Sequence, residues 1–137
     1  MPQLIEHIDA IARRKQCDVL YLEFHPTSAA ERRSYQFEQD PVRTAMLAWL
    51  DQHALRWREC GPLADPRAMS SYRGQVHVDV PYDESAPTYQ LLRDHLELPD
   101  GSMRRPGVRF YVLTLELALT NAEHDDPDFW TRWAADF

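Results

Sequence analysis

The chain has 137 residues, 44% hydrophobic and 27% charged, with 22 acidic against 15 basic side chains and a formal charge of −7. That size and balance predict one globular domain over 1–137, and the negative charge disfavours the phosphate backbone of a nucleic acid. No apolar run approaches the ~20 residues that span a bilayer, no basic-then-apolar leader opens the chain, and Cys17 and Cys60 form no metal-type or redox spacing, so the expected setting is the cytoplasm, away from the membrane, with both thiols reduced.

Leu4, Ile5, Ile8, Ile11 and Ala12 recur at helical spacing and close on Arg13, Arg14 and Lys15. This predicts an opening amphipathic helix whose basic last turn complements the helix dipole. Leu20, Leu22 and Phe24 then alternate with Tyr21, Glu23 and His25 up to Pro26, the pattern of a half-buried strand. Residues 34–38 alternate weakly and predict a short hairpin partner for it.

Asp40-Pro41 pairs an N-cap residue with proline at the first helical position. The helix it starts has Val42, Ala45, Met46, Trp49, Leu50 and His53 on one stripe and Arg43, Thr44, Asp51 and Gln52 opposite. Residues 55–60 predict an edge-type strand with Leu55 and Trp57 inward. A long loop over 61–74 carries Arg67, Ser70, Ser71, Tyr72 and Arg73, a polar set that reads as solvated because no phosphate-binding glycine motif accompanies it. Val76, Val78 and Val80 interleave with His77 and Asp79, which predicts a strand with a valine core face.

Tyr89, Leu92 and Leu96 mark a third helix, started near Ser85–Pro87 and closed by Pro99-Asp100-Gly101. Residues 109–119 predict the longest strand, with Tyr111, Leu113, Leu115 and Leu117 on one face and Val112, Thr114 and Glu116 on the other. Asp126-Pro127 repeats the helix-start signal, and Phe129, Trp130, Trp133 and Phe137 give that last helix an aromatic face. His7, His53 and His95 read as partly buried structural histidines.

Without the two end helices and the weak strand, the order is βαββαβ. That order predicts an α+β, ferredoxin-like sandwich: a four- or five-stranded, mainly antiparallel sheet with two helices on one face, plus extra N- and C-terminal helices. The other face is then expected to stay open and to gather Tyr21, Glu23, His25, Arg56, Arg58, His77, Asp79, Thr114 and Glu116, with Glu23 and His77 on neighbouring strands.

The cluster of Glu23, His25, His77, Asp79, Arg56 and Arg58 is the candidate site on that face. An imidazole beside a carboxylate can act as a general base, and His77 with Asp79 could contribute to a divalent-metal site. The competing reading is a salt-bridged surface in which the arginines neutralise the acids. His124-Asp125-Asp126 reads as a capping acid with solvated neighbours rather than a cation site. The chain has no GxSxG, HExxH or EF-hand pattern. The expected function is therefore a non-enzymatic binding or regulatory protein, without a cofactor, that engages a protein partner or a second copy through its acidic surface and through Phe129, Trp130, Trp133 and Phe137. The alternative is a small-molecule enzyme or a ligand- or metal-binding domain using the open-face cluster.

Overall fold

The computed structural model describes residues 3–4, 9–26, 35–60 and 74–120. In chain order the elements are β1 (Gln3–Leu4), α1 (Asp9–Lys15), β2 (Val19–Phe24), α2 (Pro41–Gln52), β3 (Trp57–Glu59), β4 (Val76–Val78), α3 (Pro87–Leu96), β5 (Val108–Leu113) and α4 (Leu115–Thr120). The strands form one sheet in the order β1-β5-β2-β4-β3. β5, β2, β4 and β3 are antiparallel neighbours, and β1 joins β5 in parallel.

The period-2 pattern of β2 and β4 holds. Leu20, Leu22 and Phe24 share one core with Val76, Val78 and Val80, packed against Met46 and Leu50 of α2 and Tyr89, Leu92 and Leu96 of α3. Asp40 caps α2 by accepting from the Val42 and Arg43 amides at 2.9 and 3.5 Å. At the other end Leu55 N–H bonds to the Leu50 carbonyl and Ala54 N–H to the Asp51 carbonyl. This is the double bond of a Schellman ending, with Ala54 in the left-handed conformation at φ 56°.

Several expectations are corrected. The opening helix begins at Asp9, and Leu4 lies on β1 instead. The fifth strand is therefore β1; Phe37–Gln39 form a 3-10 turn where a hairpin partner was expected. The long last strand ends at Leu113, because Thr114 Oγ1 accepts from the Leu117 amide at 3.3 Å and Asp18 Oδ1 from the Leu115 amide at 2.7 Å. Those caps satisfy amides of a first helical turn, and Leu-Glu-Leu-Ala-Leu is a good helix former in spite of its alternation. The register of β5 is also inverted. Val108, Phe110 and Val112 enter the core under α2 and α3, while Leu113 belongs to the opposite face. His53 is exposed rather than partly buried.

Arg43 is not on the solvent side of α2. It is 7% exposed, donates from Nε to the Gly74 carbonyl at 3.1 Å and from a terminal nitrogen to Glu59 at 3.2 Å, and lies over the Phe37 ring at 4.8 Å. Gly74 has φ +91°, and a Cβ there would sit 2.5 Å from Phe37 Cβ, so the close approach at this joint requires glycine. The loop at 61–73, His7, the His124–Asp126 cluster and the aromatic terminal helix lie outside the described residues.

Candidate functional site

The face of the sheet away from α2 and α3 was expected to be bare, and it is not. α1 and α4 pack on each other and, through Ile11, Ala12 and Ala118, cover Val19, Tyr21 and Leu113. Arg13 ties the two helices by donating to the Ala118 carbonyl at 2.9 Å. Tyr21, expected to face solvent, is 1% exposed. The physical reason lies in α4: the segment that leaves the sheet after Leu113 turns into a helix and folds back over β2.

The cover stops short of β3 and β4. There a groove of about 990 Å³ opens, lined by Arg14 and Lys15 from α1, Arg56, Arg58 and Cys60 on and beside β3, and His77 and Asp79 on and beside β4, with Asp51, Trp57 and Glu59 at its edge. Cross-strand pairing sets its floor. His77 stands opposite Tyr21 on one side and Arg58 on the other, and the Asp79 amide bonds to the Arg56 carbonyl at 2.8 Å. The alternation that buries Val76 and Val78 therefore delivers His77 and Arg58 side by side into the groove.

Four of the six predicted site residues meet here: Arg56, Arg58, His77 and Asp79. Glu23 and His25 do not line the groove. Glu23 is paired across the strands with Arg109, and Tyr21 occupies the position beside His77 expected for it. His25 Nδ1 lies 3.2 Å from the Pro26 carbonyl. The residues missed are Arg14 and Lys15. The basic triplet was the only signal, and as a complement to the helix dipole it read as structural.

The charges are unevenly satisfied. Asp79 is held by Lys15 at 3.5 Å, Glu59 by Arg43 at 3.2 Å, and Asp51 accepts from the Trp57 indole at 2.9 Å. Each acid of the lining thus has a donor of its own, while no ion pair among the described residues holds Arg14, Arg56 or Arg58. Inside a chain of net charge −7, this groove is locally cationic.

His77 is the unusual group. Its Nδ1 is buried and has no hydrogen-bond partner among the described residues. Burial first, then the charges of Lys15 and Arg58, push its pKa down to about 4, so the ring is neutral at pH 7. Burial also pushes the Cys60 thiol up to about 12, which leaves it un-ionised and unreactive at neutral pH. Among the described residues no three His, Cys, Asp or Glu side chains converge to hold a metal ion. Asp79, the expected partner of His77 in such a site, is turned to Lys15. Among the described residues the other buried side-chain polar atom without a partner is Tyr89 Oη, on the core side of α3.

Searches against family models, curated proteins and solved structures return no match to this chain. Among the described residues no helix is long and apolar enough to cross a membrane.

Proposed function

We propose that the domain binds a small anionic ligand in the groove over β3 and β4. The observation that carries this reading is the set of three arginines, Arg14, Arg56 and Arg58, gathered at one concavity in which each lining carboxylate already meets another donor: Asp79 meets Lys15, Glu59 meets Arg43 and Asp51 meets the Trp57 indole. Guanidinium groups present paired N–H donors that match the oxygens of a carboxylate or phosphate. Cations left uncompensated at a concave surface attract such a group, since low-dielectric walls focus the field.

A single-stranded nucleic acid fits less well. Its recognition on a sheet relies on exposed aromatic rings that stack with bases, whereas Tyr21 is sealed under α1 and α4. Association through Phe129, Trp130, Trp133 and Phe137 rests on residues outside the described ones, so the groove is the better supported reading. We also read the core as ferredoxin-like. The succession β2-α2-β3-β4-α3-β5 with the strand order β5-β2-β4-β3 supports that assignment.

Titration of the protein with inorganic phosphate at low ionic strength, followed by amide chemical shifts, tests the proposal. Saturable shifts at residues 14–15, 56–60 and 77–79 are expected, and Arg58→Gln should weaken them about tenfold by removing one charge-assisted contact. Shifts that never saturate up to tens of millimolar, or that ignore Arg58→Gln, would overturn it.

A further inference from the structure

We propose that His77 is the ligand-facing hydrogen-bond donor of this groove, a neutral imidazole whose sealed Nδ1 fixes the proton on Nε2, and that the groove takes an ionised oxyanion between that N–H and the Arg58 guanidinium. This inference rests on the anion-binding reading above and deepens it.

An imidazole has three forms: a neutral ring protonated on Nδ1, a neutral ring protonated on Nε2, and the doubly protonated cation. Two of the three put an N–H at Nδ1. Nδ1 is buried, and among the described residues nothing accepts from it; a buried N–H without an acceptor is among the rarest defects of a native structure. The remaining form leaves only a lone pair at the sealed position and turns the proton to Nε2, the ring nitrogen left to meet the contents of the groove.

The surroundings favour the same form. Arg58 from β3 and Lys15 from α1 act against a positive ring, and Asp79 just past β4, which acts for it, is held by Lys15. Tyr21 of β2 stands across from the ring, Arg14 adds a further cation to the same groove, and the Cys60 thiol is un-ionised.

A donor of this kind accepts no hydrogen bond in return, so it favours groups that are pure acceptors. A carboxylate or a fully ionised phosphate or sulfate qualifies; a neutral amide, alcohol or protonated acid satisfies the ring and Arg58 less well. A neutral donor also needs no proton to work. The affinity for an oxyanion that does not itself titrate should therefore be flat across the range in which an ordinary histidine changes charge.

Two measurements on the full chain separate this inference from the one it rests on. The first is the ¹⁵N–¹H correlation pattern of the His77 ring in anion-poor buffer at neutral pH, where the Nε2–H tautomer is expected. An Nδ1–H ring or an imidazolium would overturn the donor assignment and leave the groove reading standing. The second is the affinity for inorganic sulfate and inorganic phosphate. Sulfate binding should be constant between about pH 6 and 8, with phosphate tightening as it ionises. His77→Gln, whose amide N–H reaches a similar place, should stay within about threefold of the native protein, while His77→Leu loses about tenfold. Sulfate binding that strengthens steadily toward acid would show a cationic ring and overturn the assignment. Failure of both ions to saturate the native protein would overturn the groove reading, and the donor role with it.

Discussion

On the face under α2 and α3, strands β2, β4 and β5 all feed one continuous apolar core. The opposite face is dry only where α1 and α4 lie across β2 and β5, and it turns polar over β3 and β4. The difference follows from the reach of the covering helices. α2 and α3 have 12 and 10 residues, whereas α1 and α4 have 7 and 6. At 1.5 Å per residue the shorter pair is ~10 Å long, about two strand spacings, and cannot blanket a sheet of this width. Both faces alternate in sequence in the same way, so alternation supplies a face and the helices above it decide whether that face becomes core or site.

The sharpest way to break this comparison is to truncate a side chain on the fully covered face. Leu22→Ala removes a side chain with no exposed surface from the main core and should cost about 3 kcal/mol in urea unfolding. A loss below about 1 kcal/mol would mean that this face is not packed as described.

On the groove face the opposite sign is expected. His77→Leu eliminates a buried, unbonded polar atom and should raise stability by about 1 kcal/mol while it impairs anion binding. A destabilised variant would show that packing of the His77 ring outweighs the cost of its unbonded atom.

Acid titration sharpens the same contrast, because among the described residues each side of the sheet carries one depressed histidine. Burial, aided by Lys15 and Arg58, holds His77 at about 4. Burial, aided by Arg105, His53 and Arg104, holds His95 at about 4, with its ring stacked on Trp49 at 3.8 Å. The unfolded chain protonates these rings near pH 6.5 and the native state does not until about 4. Their contribution is therefore complete above 6.5 and is lost as the pH falls toward 4. His77→Leu should reduce the slope of stability against pH in that window and leave the His95 share, read from Trp49 fluorescence, in place.

The smallest effect belongs to the joint between the two regions. Ala54 ends α2 at φ 56° before the chain enters β3. Ala54→Gly should raise stability by about 0.5–1 kcal/mol by relieving the left-handed strain. A loss would indicate that Ala54 contributes packing as well as the turn.

Legibility in the sequence followed the range of the interactions. β2, β4, α2 and α3 could be read because their patterns record local facts: alternation, an Asp-Pro start, a 3.6-residue stripe. Residues 115–120 could not, since Leu-x-Leu-x-Leu satisfies a strand period as well as a helix, and the decision came from Asp18, nearly a hundred residues away, whose carboxylate accepts from the Leu115 amide. Arg43 was misplaced for the same reason. Its stripe position on α2 says solvent, but Gly74, Glu59 and Phe37 provide partners that bring it inside.

The candidate site divides along the same line. Sequence alone determined that His77 and Asp79 share the side of a strand opposite three valines, because the β period is set by backbone stereochemistry. Only the tertiary structure decided that Tyr21 and not Glu23 stands beside His77, that α1 brings Arg14 and Lys15 to the rim, and that Asp79 pairs with Lys15. Register and helix docking are fixed by contacts between distant segments, and no local pattern encodes them.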